Sequence, residues 1–185
     1  MTSPPEAKLE ILADPEALAR RVADWLLAAA MAKDGVFAVA LSGGSTPRRL
    51  YERLAKPPYH DVFPWSRTHW FWGDERFVPH DDALSNDRMV LQALLSRAPF
   101  PGTAVLAERK RWVAVVSPKS EARITLTYPA LESSRHTAFL VAGEEKLSTF
   151  ERLRRGDNNL PAARLHPTGT LCLFADIAAA GEAIL

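Results

Sequence analysis

The sequence predicts an α/β fold, a Rossmann-like layered arrangement in which a mostly parallel sheet is flanked by helices. Three observations indicate it. Short apolar runs alternate with amphipathic stretches along the chain, the order expected of parallel strands joined by helices. Of the 185 residues, 47% are hydrophobic and 24% charged, a balance that allows one sizeable buried core. Neither an internal repeat nor a low-complexity linker interrupts the chain, so we expect a single domain over residues 1–185.

The first long element is an amphipathic helix. Asp14 is its expected N-cap, Pro15 its first residue and Gly35 its end. Its most apolar part, residues 25–32, is too short to span a bilayer and has charged residues on both sides, so we expect a soluble helix and no membrane partner. One apolar stripe at helical spacing comprises Leu18, Val22, Trp25, Leu26 and Ala29.

Residues 36–54 predict a strand, a tight turn and a helix, VFAVAL-SGGST-PRRLYERL. The first six residues are apolar throughout, which favours a strand covered on both faces in a parallel sheet. Two glycines in the turn allow backbone amides to converge at close range, and three hydroxyl side chains add donors. The turn consists of Ser42, Gly43, Gly44, Ser45 and Thr46.

The helix after this turn is expected to point its positive end at an anion. Thr46 is the expected cap and Pro47 the first helical residue, where a proline loses only an N–H without an intrahelical acceptor. The turn has neither a Gly-Lys-Ser/Thr ending nor a G-x-G-x-x-G pattern, so a monophosphate on a small metabolite fits better than a nucleotide. A tight strand-to-helix connection without a ligand stays open as the alternative.

Further strands and helices alternate along the rest of the chain. A helix after the predicted strand over 68–72 opens within residues 82–86, where Ser85 or Asn86 is the expected cap, and reaches about residue 97. The other predicted elements are a strand over 68–72, a strand over 112–116, an edge-like strand over 123–127, a short helix over 129–134, a strand over 137–142, a helix over 144–154, and a final strand and helix between 171 and 180.

Charged residues come after two further predicted strands, and ligands of open α/β sheets bind at the carboxyl ends of the strands. Asp74, Glu75 and Arg76 come directly after an aromatic strand, where Arg76 has the planar fork that binds a phosphate through two hydrogen bonds. Lys146 comes after the strand over 137–142. For residues 74–76 the alternative is a solvated salt bridge. For Lys146 it is an exposed charge cluster at the start of a helix.

Composition argues against several other classes of function. The chain has 23 basic and 22 acidic side chains with no long run of one sign, so we expect no nucleic-acid partner. None of the five histidines has a partner at metal-ligand spacing, so we expect no metal. The single cysteine, Cys172, lies in an apolar stretch and is expected to be a buried thiol in a cytoplasmic protein.

Together these segments resemble the 6-phosphogluconolactonase family of the glucosamine-6-phosphate isomerase/deaminase-like superfamily. The resemblance implies hydrolysis of the phosphosugar lactone 6-phosphoglucono-1,5-lactone, the second step of the oxidative pentose phosphate pathway, without a cofactor. It keeps family order through LSGGSTPRRLYERLA, FWGDERFVPHDDALSNDRMV, FPGTAVLAERKRWV, RITLTYPAL, RHTAFLVAGEEK and LPAARLHPTGTLCLFAD.

One departure from the family pattern concerns its general base. Between the helix after GDER and the FPG segment, the family has a further helix, a strand of the DLVLLGMG type and the signature G-x-D-G-H-T-A-S-L-F-P-G. Here residues 97–99 meet residues 100–102 almost directly, and no residue aligns with the signature histidine. We therefore expect one interior strand-helix segment to be missing near residues 98–100, and slow or no turnover.

The resemblance also implies roles for individual residues. The turn over residues 42–46, Arg76 and Lys146 would hold the 6-phosphate, Asp74 would bind sugar hydroxyls or orient the base, and the Asn86 amide would face the site. Three interpretations stay open: a lactonase with impaired activity, a catalytically inactive sugar-phosphate-binding homologue or relic, and, ranked last, an isomerase that also deaminates. A missing interior strand also predicts self-association through the opened sheet.

Overall fold

The computed structural model of the chain describes residues 7–99, 113–116 and 122–181, and of residues 113–116 the backbone alone. Within it the chain divides into two compact units, one formed by Met1–Leu18 with Thr127–Leu185 and the other by Ala19–Leu126. The FPG segment at residues 100–102 and Trp112 lie outside the described residues. A single domain over residues 1–185 stays a prediction.

Strands and helices alternate, as expected. In chain order the strands are β1 (Lys8–Leu12), β2 (Phe37–Leu41), β3 (Thr68–Trp72), β4 (Asp74–Arg76), β5 (Val113–Val116), β6 (Arg123–Leu126), β7 (His136–Val141) and β8 (Thr170–Asp176). The α-helices are α1 (Pro15–Ala32), α2 (Ser45–Leu54), α3 (Tyr59–Val62), α4 (Asn86–Val90), α5 (Tyr128–Glu132), α6 (Leu147–Arg154) and α7 (Ile177–Ala180). A π-helical turn, Leu91–Leu95, continues α4, and short 3-10 helices cover Trp65–Arg67, Glu144–Lys146 and Pro161–Arg164.

Pairing among these strands is mostly parallel, which confirms the predicted fold class. In the first unit, β8 lies between β1 and β7 and pairs with both in parallel. In the second unit, β2 and β3 form a parallel pair, whereas β4, β6 and β5 form a small antiparallel sheet. The expectation that β6 is an edge strand is wrong, because it pairs with β4 on one side and β5 on the other.

Two strands escaped the sequence analysis for different reasons. β1, KLEIL, has the polar-apolar alternation of a half-buried strand, but it is only five residues long. β4 consists of Asp74, Glu75 and Arg76 and has no intrinsic preference for a strand. It is extended because it pairs with β6, a contact between residues about fifty positions apart that no local pattern reveals.

The first unit packs its apolar core between the parallel sheet and α6. Phe150 of α6 is fully buried against Leu173 and Ala175 of β8 and Ala180 of α7. The central strand β8 is buried continuously over its last five residues, whereas β7 is only half-buried although its sequence HTAFLV is largely apolar. Among the described strands β7 has a neighbour on one side only.

The second unit has a core built on aromatic side chains beneath β2 and β3. Trp70 of β3 is fully buried, and its ring centroid lies 5.8 Å from those of both Phe63 and Trp65. On the opposite face of β2, Ala38 and Ala40 are exposed. Burial of this strand on both faces, as expected from its unbroken apolar sequence, is therefore wrong.

Arg67 closes the C-terminus of α1. Its Nη1 donates to the carbonyl oxygens of Lys33 at 2.6 Å and Gly35 at 2.9 Å, and its Nη2 donates to that of Ala30 at 2.6 Å. Carbonyls at a helix end have no intrahelical donor, so one guanidinium satisfies several of them at once. The N-terminus of the same helix is capped as predicted, with the Asp14 carboxylate accepting from the Ala17 amide at 2.7 Å.

We expect Arg67→Ala to lower the free energy of unfolding by about 2–3 kcal/mol, because charged hydrogen bonds to several carbonyls are lost together. Chemical denaturation measures the change. The matched control is Arg48→Ala, which breaks only an exposed ion pair with Glu52 one turn along α2 and should cost less than about 0.5 kcal/mol. Equal losses in the two variants would contradict a capping role for Arg67.

Candidate functional site

The turn after β2 leads directly into α2, with Gly44 at the N-cap position. Gly44 has a φ of 107°, a conformation that favours glycine, and none of the described side chains caps the helix. The helix begins at Ser45, so the prediction of Thr46 as cap and Pro47 as first residue is wrong by two positions. Since Gly44 makes the sharp turn, the helix can start earlier than a side-chain cap would require.

This start leaves a positive helix end with free donors. The first amides of a helix have no intrahelical acceptor. In the described part of the chain, the amides of residues 43–46 donate no hydrogen bond, and Ser42, Gly44 and Ser45 are exposed. A ten-residue helix with open amides and adjacent hydroxyls is suited to bind a phosphate.

Tyr51 fixes the entrance of the turn from inside α2. Its hydroxyl accepts from the Ser42 amide at 3.0 Å and donates to the Ser42 carbonyl at 2.8 Å. The side chain is 2% exposed, and this burial raises the pKa of Tyr51 far above its ordinary value, so the hydroxyl keeps its proton and can serve both bonds. The Ser42 amide is therefore occupied, and the open amides begin at Gly43.

Asn86 lies behind the turn and is 2% exposed. A Cβ atom at Gly43 would overlap the Asn86 side-chain amide, so this glycine is required by close packing, not by its backbone angles. The Asn86 Nδ2 donates to the Asp74 carbonyl at 2.9 Å and to Asp74 Oδ1 at 3.2 Å. The amide lies between the turn and β4, and the prediction that it faces the substrate stays a prediction.

Asp74 is held between Asn86 and an arginine that the sequence analysis missed. Arg123 Nη1 lies 3.5 Å from Asp74 Oδ2, and both side chains are about two-thirds buried or more. Arg123 stands on β6 directly opposite Arg76 in the antiparallel register. Only the tertiary pairing of β4 with β6 brings it here, although RITL itself is one of the segments that resemble the family.

Arg76 and Arg123 form a pair of like charges. Like charges directly opposite one another in a sheet are unfavourable, and Asp74 is the acidic group beside them. The Nη1 of Arg76 donates to the Leu84 carbonyl at 2.6 Å, and in the described residues the Nε atoms of both arginines are buried without an acceptor. An anion near this pair would relieve the repulsion.

Glu75 has a structural role. Its Oε1 accepts from the amides of Arg76 and Asn86, both at 2.7 Å, and its Oε2 accepts from the amide of Asp87 at 2.6 Å and from the Ser85 hydroxyl at 3.3 Å. Ser85 is the N-cap of α4, one of the two predicted caps, and accepts from the Arg88 amide at 3.1 Å. Glu75 thus ties α4 to β4.

Lys146 belongs to the first unit, whereas the turn, Asp74, Arg76 and Asn86 all belong to the second. It is exposed at the end of a 3-10 turn that begins after Gly143, whose φ is 96°. The Gly143 amide donates to both carboxylate oxygens of the buried Asp176 at 3.1 Å. Asp176 also accepts from the Ala179 amide at 2.8 Å and so caps α7.

Metal ligation and membrane spanning find no support in the described residues. No group of three His, Cys, Asp or Glu side chains in the described ranges is arranged to hold a metal ion. Among the helices described, none has the length and apolarity needed to cross a membrane.

Comparison with known proteins places these features in a family context. The profile of the family described as glucosamine-6-phosphate isomerases/6-phosphogluconolactonase matches residues 13–99 and 98–173. A 6-phosphogluconolactonase of a Nostoc species is 29% identical over 237 residues, covering 94% of this chain and 97% of the relative. This alignment is longer than the 185-residue chain itself.

Solved structures share the fold. A 6-phosphogluconolactonase from Thermotoga maritima has a TM-score of 0.78 and 25% identity, covering 92% of this chain and all of the other. A monomeric glucosamine-6-phosphate deaminase has a TM-score of 0.83, with 94% of this chain and 98% of the other covered. At 15% identity the second likeness shows the fold alone.

We expect Tyr51→Phe to lower the free energy of unfolding by about 1–3 kcal/mol, because both backbone groups of Ser42 lose their partner. It should also weaken the binding of inorganic phosphate, since the turn is no longer held at its entrance. Tyr59→Phe is the control. It removes another buried hydroxyl, one that donates to Asp24 at 2.6 Å, and should cost stability without affecting phosphate. Calorimetry that finds equal phosphate affinity in both variants would count against the role of Tyr51.

Asp87 offers a pH test at the start of α4. Burial and the nearby Glu75 raise the pKa of Asp87, so its contribution to stability is present below the unfolded pKa and is lost as pH rises through the folded pKa. Asp87→Asn should therefore raise Tm at pH 7, and the gain should vanish near pH 3, where the native carboxyl is protonated in both states.

Asp157→Asn should change Tm in the opposite direction. A hydrogen bond from Arg152 lowers the pKa of Asp157, so the charged form stabilises the fold above the unfolded pKa and its contribution is lost as pH falls. That variant should lower Tm at pH 7 and converge with the native protein at low pH. Shifts of the same sign in the two variants would refute this account.

Proposed function

The chain belongs to the glucosamine-6-phosphate isomerase/6-phosphogluconolactonase family, and on that premise we propose that it binds and slowly hydrolyses 6-phosphoglucono-1,5-lactone. The observation that carries the proposal is the open amino end of α2 behind Gly43 and Gly44, where amides without an acceptor in the described residues and exposed hydroxyls are suited to bind a substrate phosphate. Arg76 supplies a cation on the neighbouring β4. Lys146 is proposed as a second cation for the same phosphate.

The reaction requires water to attack the lactone carbonyl carbon, C1. A C–O bond forms to the water oxygen and the bond from C1 to the ring oxygen breaks. One proton of the water ends on that ring oxygen, and the other passes to solvent when the new carboxylic acid ionises. The product is the carboxylate 6-phosphogluconate. Asp74, fixed through both carboxylate oxygens, presents an acceptor for sugar hydroxyls and orients the ring once the phosphate is held.

The base that would take the proton from water has no counterpart in this sequence. No residue of the chain aligns with the histidine that the family resemblance implies. A positioned general base contributes about 10²–10⁴-fold, or roughly 3–5 kcal/mol of barrier. With phosphate anchors but no base, the site retains substrate binding and loses most of its rate.

Three observations support the absence of one interior strand-helix segment near residues 98–100. The family profile matches in two stretches that meet at residues 98 and 99. The alignment with the Nostoc relative is longer than this chain, so parts of that relative stand opposite gaps here. Among the described strands, β2 and β7 each pair in parallel on one side only, although both have the largely apolar sequence of interior strands.

A catalytically inactive sugar-phosphate-binding homologue is the second candidate, favoured by the same missing base. Isomerisation with deamination ranks below both, because the likeness to the deaminase is one of fold. We further propose that the protein works in the cytoplasm, which the cysteine content supports, because a chain with Cys172 as its single cysteine cannot form an internal disulfide. Self-association through the open strand edges is also proposed, and the absence of charge on β2 supports it.

We expect 6-phosphogluconate to raise Tm in a thermal-shift titration, because a ligand that binds only the folded state stabilises it. Arg76→Lys keeps the charge but loses the planar fork, so this shift should shrink. Hydrolysis above the spontaneous rate should be about 10²–10⁴-fold slower than for the Thermotoga maritima relative assayed alongside. A flat titration would refute the binding site, and matched turnover would mean that another residue replaces the missing base.

A further inference from the structure

We infer that Asn86 is a positioning residue that fixes the distance between the turn over residues 42–46 and the Asp74 carboxylate. The inference rests on the proposed function, because it assigns Asn86 a task within the same site. It differs from the sequence-based expectation, in which the amide itself touches the substrate. At 2% exposure the side chain cannot reach a ligand in the turn without displacing Gly43.

The hydrogen bonds of Asn86 leave it one orientation. Its Nδ2 donates to two oxygens of Asp74, the carbonyl and Oδ1, so a flipped amide would set oxygen against oxygen. Its own backbone amide is held by Glu75 at 2.7 Å. Both the main chain and the side chain of Asn86 are therefore tied to β4.

The other side of the same amide is packed against the turn. The Asn86 Oδ1 is the nearest atom to a Cβ built at Gly43. Gly43 is not among the glycines with a positive φ, so an alanine there meets no left-handed strain, and the three atoms nearest to its Cβ all belong to Asn86. The backbone amides of the turn and the Asp74 carboxylate must hold opposite ends of one substrate. The buried side chain of Asn86 sets the distance between them.

A double-mutant cycle tests the spacing. Gly43→Ala should lower Tm by several degrees in the native background and by much less in the Asn86→Ala background, where the clash is gone. Gly44→Ala is the matched control. Its φ of 107° strains any other residue, and its nearest neighbour is Pro47 at 3.9 Å, so Asn86→Ala should not rescue it. Strictly additive Tm losses for Gly43→Ala and Asn86→Ala would overturn the inference.

Ligand binding separates positioning from simple packing. Asn86→Ala should lower the affinity for 6-phosphogluconate by about tenfold and the affinity for inorganic phosphate by much less, because binding of the sugar end depends on Asp74. In Asn86→Asp the new carboxyl lies against the Asp74 carboxylate, which Arg123 of β6 also contacts, while Glu75 of β4 accepts from the backbone amide of residue 86. This variant should recover 6-phosphogluconate affinity as pH is lowered, because a protonated carboxyl can donate as the native amide does. Equal losses for both ligands, or no dependence on pH, would overturn the positioning role.

The result also discriminates between the two proposals. If the native protein binds neither phosphate nor 6-phosphogluconate, the proposed function fails, while the Tm cycle still tests whether Asn86 spaces the turn from β4. If both ligands bind but the cycle is additive, the proposed function stands and Asn86 has no positioning role.

Discussion

The site depends on the parallel register between β2 and β3. Leu41 pairs with Trp72, and the Gly73 amide donates to the Leu41 carbonyl at 2.7 Å immediately beyond the last pair. The two strands therefore end at the same level, and the next segments of the chain are brought together: a glycine turn and helix after β2, a charged strand after β3. A shift in this pairing would separate the turn from Asp74 whatever the side chains were.

Most of the polar groups around the site are engaged with one another. Glu75 holds the start of α4, Asn86 and Arg123 hold Asp74, and Tyr51 holds Ser42. These bonds order the backbone before any ligand arrives, so the cost of organising the site is met during folding. In the part of the chain that the structure describes, the backbone amides of residues 43–46 and the Nε atoms of Arg76 and Arg123 are left without an acceptor, and all of them are donors. Their common sign is what selects an anion.

Local patterns were sufficient where the deciding contacts lie within a few residues. The Asp14 cap and the strand Thr68–Trp72 depend on neighbouring residues and were predicted correctly, and the cap of α4 is Ser85, one of the two predicted residues. Where distant segments decide, prediction failed. The positions of Arg123 and Arg67 and the extended conformation of Asp74–Arg76 depend on tertiary pairing. The start of α2 was misplaced because the positive φ of Gly44 is not visible in its sequence context.

The cap that Arg67 places on α1 also affects the rates of folding and unfolding. Its three acceptors precede it by 34, 32 and 37 residues, so the helix end cannot be completed by its own neighbours in the chain. Closing a loop of that length costs conformational entropy before the contact can form. The last turn of α1 should therefore fray until the segment before β3 has docked. Its hydrogen bonds belong to the late part of folding, and they act mainly by slowing the unfolding of a finished structure.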